Sequence, residues 1–331
     1  MQQKHKPVVR WLFLGYFLIL TMVIVGGITR LTGSGLSMAD WKPILGAIPP
    51  MNEMQWQEKF DLYKATPEFQ KVNSHFSLSD FKQIFWWEFI HRDLGRFIGI
   101  VFIIPFLIFW KQKRFDKKLF RQMLIILCLG AFQGVLGWYM VSSGLDKVPH
   151  VSHYRLAAHL LTALTAMLYV FWVAISLLYP RPIVDKQLNK QYSFMFVLVV
   201  LQITYGAFTA GLKAGFGNHT LVEVLQIPTH IQSIVNEGTS VLFVHRYLAL
   251  SILGITLLFY LNNYKKNLHP LHKKGMNIFL YLVLTQVALG IFTLLGSVPI
   301  YLGVLHQVVA VLIVTTALFM IYISKATEKA R

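Results

Sequence analysis

The amino-acid sequence predicts an all-α membrane protein whose eight transmembrane helices form two tandem four-helix bundles. Of its 331 residues, 55% are hydrophobic and only 14% are charged. The hydrophobic residues fall into runs of about 20, the length of helix that crosses a bilayer. The predicted spans cover residues 11–29, 88–110, 122–141, 155–179, 193–212, 240–261, 276–296 and 303–324.

The placement of the basic residues sets the predicted topology. The formal net charge of +17, taken alone, suits a nucleic-acid ligand. However, 19 of the 31 Lys and Arg residues lie in the two termini and in the loops near 111–121, 181–190 and 265–274. Such a bias marks the cytoplasmic side of a membrane protein. We therefore expect contact with membrane lipid and none with nucleic acid, both termini in the cytoplasm, and a bacterial inner-membrane location.

One long outer loop, residues 30–87, separates the first two spans. It balances six Lys or Arg residues with six Asp or Glu residues and includes Thr-Gly-Ser-Gly-Leu at 32–36. No Lys-Ser/Thr pair follows these glycines, so the segment is not a phosphate-binding loop. We predict a partly helical cap that acts as a lid over the first bundle.

The chain also repeats itself. Glu88-Phe-Ile-His-Arg resembles Leu242-Phe-Val-His-Arg, 154 positions later, and Gln133-Gly-Val-Leu-Gly is echoed by Gln286-Val-Ala-Leu-Gly at an offset of 153. An even number of spans per half sends both halves through the membrane in the same direction, which predicts pseudo-twofold symmetry about the membrane normal. The predicted domains are residues 1–180, which include the long outer loop, and residues 181–331.

Small residues recur on the odd-numbered spans. Among the glycines there are Gly26, Gly27, Gly134, Gly137, Gly206, Gly211 and Gly290. Small residues let helix backbones approach closely, so we interpret them mainly as helix-packing positions, although a flat macrocycle needs the same clearance. The single cysteine, Cys128, lies within a span and is predicted to be a buried core residue.

Four histidines lie within the even-numbered spans, near the outer ends of their helices. They are His91, His159, His245 and His306, and the other eight histidines are predicted to fall in loops or tails. Ionisable side chains inside a membrane are costly and usually functional. Two imidazoles from facing helices of a bundle can bind a haem iron from both sides. Each half is therefore predicted to hold one haem between its two histidines; the alternative for any single histidine is a hydrogen bond between helices.

Arginines accompany these histidines. Arg92 and Arg246 each follow a histidine directly, and Arg155 precedes His159 by one turn. A guanidinium at the membrane edge can pair bidentately with a haem propionate. Snorkelling to lipid phosphate is the alternative, and the recurrence of His-Arg favours the propionate.

The two halves differ at one position. Glu88 precedes His91 by three residues, whereas Leu242 stands at the equivalent place before His245. A carboxylate beside haem can accept a proton or position water, which makes Glu88 the candidate catalytic residue. The alternative is an interfacial ion pair with Arg92. A di-iron centre needs two Glu-x-x-His pairs with further glutamates, and the sequence has one such pair.

Together these segments resemble the haem A synthase family. The resemblance covers all eight spans and rests on Gly26-Gly-Ile-Thr-Arg-Leu-Thr-Gly-Ser-Gly-Leu-Ser, Glu88-Phe-Ile-His-Arg, His159-Leu, His245-Arg and His306-Gln. It implies oxidation of the C8 methyl of haem O to the formyl group of haem A, which terminal oxidases require. It implies haem b bound by His245 and His306, haem O bound by His91 and His159, and Glu88 near the reacting methyl.

The arginines then divide between the two haems, with Arg246 facing haem b and Arg92 and Arg155 facing haem O. Some members of the family carry a cysteine pair in the first outer loop, but residues 30–87 contain none, which indicates the subtype without it. Pathway logic implies transient contact with haem O synthase. The electron donor is unidentified, and a homo-oligomer is left open.

Two other classes of protein would need the same histidines. A dihaem b-type membrane cytochrome that passes electrons from quinol predicts two haems that stay chemically unaltered. A haem-binding assembly factor or transporter predicts a haem that enters and leaves unmodified.

Overall fold

The computed structural model describes residues 5–39, 45–145, 149–179, 183–216 and 233–325. Within these ranges the regular structure is helical, with no strand. Eight of the helices are long and apolar enough to cross a membrane: α1 (Lys6–Leu31), α4 (Leu78–Lys111), α5 (Lys117–Leu145), α6 (His153–Leu178), α7 (Lys186–Gly211), α9 (Gly238–Asn263), α10 (Pro270–Leu295) and α11 (Ile300–Ser324). The prediction of an all-α protein with eight membrane-spanning helices is confirmed. The four-residue α8 (Ser233–Asn236) precedes α9.

The helix α4 begins at Leu78, well before the predicted span that starts at residue 88. Ser77 and Asp80 form a capping box, in which the Ser77 hydroxyl accepts from the Asp80 N–H and the Asp80 carboxylate accepts from the Ser77 N–H. This reciprocal pair starts a helix among polar residues. A hydrophobic run alone therefore missed the turns of α4 that lie before the apolar stretch.

Two short helices, α2 (Glu53–Lys64) and α3 (Pro67–Lys71), form part of the outer loop. Asn52 and Thr66 cap their amino-terminal ends with side-chain oxygens, as short polar residues commonly do. An aromatic cluster joins α2 to the first turns of α4: Trp56, Phe60, Tyr63, Phe81 and Phe85. The described part of the loop is thus a partly helical cap, as predicted.

Tyr63 is a fully buried member of this cluster. Its hydroxyl donates to Glu68 Oε2 at 3.1 Å and accepts from Asn73 Nδ2 at 2.8 Å. Burial, followed by the nearby Glu68 carboxylate, raises the pKa of Tyr63, so the phenol stays a neutral donor.

Replacing Tyr63 with phenylalanine is expected to destabilise the cap by about 1–3 kcal/mol, because buried polar partners lose their hydrogen bonds. The measurement is amide hydrogen exchange in α2 and α3, which should become faster. Tyr281, 65% exposed on α10, provides the control, since Tyr281→Phe should leave exchange in the cap unchanged. Equal exchange in the two variants would contradict the expectation.

The helices group into two compact units. The first unit runs from Phe17 to Ala166, and the second contains the chain up to Tyr16 and from Met167 onward. In the second unit, Met195, Phe279 and Met320 are among the buried residues of one hydrophobic core. The predicted domain division at residue 180, and the symmetry between the halves, stay predictions.

Two predictions about individual side chains are wrong. Cys128, predicted to be buried, is exposed on the surface of α5. A span that is apolar around its whole circumference gives no signal of which face packs, so residue type alone misplaced this thiol. His272, predicted to lie in a loop, is in the first turn of α10 and 2% exposed, and His153 is the first residue of α6.

Candidate functional site

Each predicted ligand histidine lies within a spanning helix. His91 is on α4, His159 on α6, His245 on α9 and His306 on α11. In the first unit, His91 and His159 are close enough for their charges to interact. In the second unit, the rings of His245 and His306 have centroids 6.3 Å apart and planes inclined at 71°. The structure thus brings together the members of both predicted pairs.

The spacing of the second pair suits a metal held between the two rings. A metal–imidazole bond is about 2 Å long, so two nitrogens that share a metal lie about 4 Å apart. Ring nitrogens lie on the rims of their imidazoles, so centroids 6.3 Å apart leave such a distance between facing rims. Among the described residues, no three His, Cys, Asp or Glu side chains gather as a metal site. A metal here would take two protein ligands, as a bis-imidazole haem iron does.

Each of the four rings rests against a glycine of the preceding spanning helix. A Cβ built on Gly26, Gly137, Gly206 or Gly290 would lie 3.1–3.4 Å from a ring atom of His91, His159, His245 or His306, respectively. A side chain at these positions would therefore press on the imidazole. Gly134, in contrast, has open space where its Cβ would be. The clearance at these four glycines serves the histidine rings, a use more specific than the helix packing predicted for them.

Glutamines contact three of the four histidines, and sequence reasoning missed this role. Gln202 Nε2 lies 3.0 Å from His245 Nδ1 and donates to the His245 carbonyl at 2.9 Å. Gln286 Nε2 lies 3.2 Å from His306 Nε2. With its amide turned to satisfy its neighbours, Gln133 donates to both His159 Nδ1 and the His159 carbonyl at 3.2 Å. The available signal was the spacing of each glutamine, four residues before a glycine.

The three predicted arginines differ in their partners. Both Nη atoms of Arg246 are buried and find no hydrogen-bond partner among the described residues. Arg92 Nη2 lies 2.5 Å from Glu88 Oε1. Arg155 donates to the Tyr139 carbonyl at 2.7 Å and lies 3.8 Å above the Tyr139 ring. A buried charge without a partner is costly, so Arg246 best fits an anionic group brought by a ligand, such as a haem propionate.

Glu88 is 3% exposed, and its described polar contacts are all donors. Oε1 accepts from Arg92, while Oε2 accepts from the Ser37 hydroxyl at 2.7 Å and from the Met38 N–H at 2.9 Å. Arg92 also donates to the Met38 carbonyl at 3.1 Å. The predicted alternative for Glu88, an ion pair with Arg92, is therefore present. Oε1 accepts one described donor and Oε2 accepts two, so Oε1 keeps a lone pair that could accept a proton.

These contacts fasten the segment that follows α1. Leu36 and Ser37 are 3% and 2% exposed. Leu36 packs against Gly144 near the end of α5, where an added Cβ would come within 2.7 Å of Leu36 Cδ1. The segment therefore joins α4 to α5 close to the turn before His91. Its predicted role as a lid stays a prediction.

Comparison with known proteins gives one consistent result. The family described as cytochrome oxidase assembly protein matches residues 9–318. A protein named heme A synthase from Flavobacterium psychrophilum is 41% identical over 97% of this chain and 98% of its own length. A protein of the same name from Nitrosospira multiformis is 39% identical over 95% of this chain and 92% of its own length. The paired histidines and eight spans thus belong to a chain with full-length relatives, and this chain is a member of the cytochrome oxidase assembly protein family.

Proposed function

We propose that this protein is a haem A synthase, which oxidises the C8 methyl of haem O to a formyl group for oxidase assembly. Membership of the family and the relatives named heme A synthase support this activity. One observation carries the assignment to these residues. The rings of His245 and His306 lie at a spacing that suits a shared iron, and the buried Nη atoms of the adjacent Arg246 have no hydrogen-bond partner among the described residues.

We propose that each unit binds one haem. In the second unit, His245 and His306 would ligate haem b while Arg246 pairs with a propionate. In the first unit, His91 and His159 would ligate the substrate haem O. Arg92 and Arg155 are the proposed propionate partners there, although both already have protein partners. Arg92 and Arg155 would have to release these partners when haem O binds.

The protein's own residues would hold and orient the haems. When bound, haem b supplies a redox-active iron. The glycines leave room for the imidazoles, and the two histidines of each pair would hold a haem iron as its protein ligands. Glu88, held by Ser37, Met38 and Arg92, lies one helical turn from His91 on the same face of α4. We propose that its carboxylate acts near the reacting methyl group of haem O, where it accepts a proton during the oxidation.

The setting of this reaction is also a proposal. We propose a bacterial inner membrane with both termini in the cytoplasm, since the basic loops favour that topology. Haem O synthase is the proposed transient partner because it supplies the substrate. The oxidation of a methyl to a formyl group also needs a source of oxygen and a separate redox partner, the unidentified electron donor. A homo-oligomer is compatible with this scheme.

The test is mass spectrometry of the haems extracted from purified protein after co-expression with a haem O source. Haem A, or hydroxylated haem O, alongside haem b is the expected result. Two unaltered b-type haems despite available haem O would contradict the synthase activity and favour the quinol-linked dihaem cytochrome. Release of unmodified haem O would favour a haem carrier.

The variant Arg246→Met tests the proposed propionate contact. The substitution removes a buried charge without a described partner, so haem-free protein should be as stable as wild type or more stable. Retention of haem b should fall by at least about tenfold, since truncating one member of a buried charge pair costs several kcal/mol. Thermal unfolding and haem content measure the two effects. Arg246→Lys, which keeps the charge, is the control, and wild-type retention by Arg246→Met would refute the contact.

A further inference from the structure

We propose that the glutamines on α5, α7 and α10 are positioning residues for the histidines, and that Met22, in the fourth equivalent place, makes His91 the exchangeable ligand. This inference rests on the proposed function only in taking the four histidines as haem ligands. It goes beyond that function by ordering the four histidines by how firmly each would hold haem iron, and by naming the residues that set this order.

The pattern appears once on each odd-numbered span. It consists of a residue followed four positions later by the glycine that touches a ligand histidine. The four pairs are Met22 with Gly26, Gln133 with Gly137, Gln202 with Gly206, and Gln286 with Gly290. Residues four apart lie on the same face of a helix. The three glutamine pairs each present an amide and a gap to the neighbouring imidazole, whereas the first pair has a methionine in place of the amide.

The glutamine amides contact the ring nitrogens of the histidines at hydrogen-bond distance. Gln202 and Gln133 each reach a ring nitrogen and the backbone carbonyl of the same histidine. A side chain held at two points fixes the ring on its helix. Gln286 reaches a ring nitrogen of His306. Three histidines thus have an oriented ring before any ligand binds.

Two of these amides also have unused acceptors. Oε1 of Gln202 and of Gln286 is buried and finds no hydrogen-bond partner among the described residues. An imidazole that binds metal through one nitrogen carries a proton on the other, and it needs an acceptor for that proton. A turned amide would present Oε1 to this N–H. The orphaned oxygens therefore fit a metal-bound histidine better than a free one.

His91 lacks this support. Its ring has no hydrogen bond to any side chain in the described part of the chain, whereas Met22 packs against the turn that follows it. The Met22 methyl lies 3.3 Å from where a Cβ on Gly95 would be. A thioether donates no hydrogen bond and accepts only weakly. The described ring of His91 thus packs against Gly26 without a side-chain hydrogen bond to orient it.

The consequence is an order among the ligands. A second hydrogen bond to a metal-binding histidine fixes its ring and raises its basicity, and its loss typically costs about 10–100-fold in metal affinity. Both histidines of the second unit have a glutamine, which suits a haem that stays. The first unit has one supported and one unsupported histidine, which suits a haem that must enter and leave. This difference between the units matches the proposed assignment of haem b as the resident cofactor of the second unit and haem O as the substrate of the first.

The experiment measures haem loss from purified, haem-loaded protein to an excess of apomyoglobin. Gln202→Met should speed the slow phase of release by about 10–100-fold, and Met22→Gln should slow the fast phase by a similar factor. Leu201→Met, one residue away and 44% exposed, is the matched control and should change neither phase. Carbon monoxide binding to the reduced protein gives a second readout, which Met22→Gln should weaken and Gln202→Met should enhance.

Unchanged release from both Gln202→Met and Met22→Gln would overturn the inference. Met22→Gln is designed to add a hydrogen bond to His91. It therefore tests the role of the glutamines even if Gln202→Met, which removes a hydrogen bond, folds poorly. Failure of the proposed function has a different signature. In that case the haems would never gain oxygen, while the release rates would still follow the glutamines.

Discussion

Replacing His306 with alanine is expected to remove haem b from the protein almost completely. His245 and His306 have ring centroids 6.3 Å apart, and neither has another described imidazole facing it that would take the place of the lost ligand. A single remaining histidine leaves the iron with one protein bond. The measurement is the amount of haem b per protein after purification, together with the loss of the low-spin absorption bands.

The same variant should also abolish conversion of haem O, because the second-unit haem is the proposed redox cofactor. His272→Ala is the control, since His272 is a buried histidine of the same unit, 2% exposed, outside the proposed site. It should keep haem b. A His306→Ala protein with wild-type haem b content would refute the assignment of this pair. By contrast, His91→Ala should keep haem b and lose the conversion.

Replacing Glu88 with glutamine is expected to reduce conversion by about 100-fold or more while haem b stays bound. If the carboxylate accepts a proton, the amide cannot, and general-base catalysis is worth about 10²–10⁴-fold. The substitution should also destabilise the contacts around residue 88. Ser37, Met38 and Arg92 all donate to Glu88. In Glu88→Gln the side-chain amide nitrogen is itself a donor, so it would face one of these donors without a hydrogen bond. Breaking such a buried pair costs about 3–5 kcal/mol.

A second set of variants separates the chemical effect from the structural one. Ser37→Ala removes one donor to Glu88 and loosens the segment after α1 without touching the carboxylate. If fastening this segment is all that Glu88 does, Ser37→Ala should show a smaller defect of the same kind, with faster proteolysis between α1 and α2. If Glu88 acts in the reaction, Ser37→Ala should convert haem O at nearly the wild-type rate. Wild-type conversion by Glu88→Gln would exclude the catalytic role.

Local properties of the chain made much of this protein predictable. A run of about 20 apolar residues has few alternatives to a spanning helix, because the backbone must satisfy its own hydrogen bonds in lipid. The eight spans therefore follow from hydropathy. The four histidines could be singled out for the same reason, since polar groups are rare and costly in that environment. The difference between Glu88 and Leu242 also needed only an alignment of the two halves.

Other features depended on how each helix is rotated about its axis, which hydropathy does not reveal when a span is apolar all round. This is why Cys128 was predicted to be buried and is exposed. For the same reason the sequence shows Gln133 and Gln286 as part of a repeat but not as partners of the histidines, and it does not single out Gln202. The contact between Gln202 and His245 joins residues 43 positions apart.

The eight spans and the four histidines within them can be recognised from the amino-acid sequence alone. The same holds for the asymmetry at Glu88, because each of these depends on what a residue is and where it stands in its own helix. Which side chains of different helices meet became visible only in the folded protein. There Gln202 contacts His245 from a neighbouring helix, while both Nη atoms of Arg246 have no described partner. The physical reason is that the pairing of a charge depends on neighbouring helices, and packing between helices is set by the whole fold.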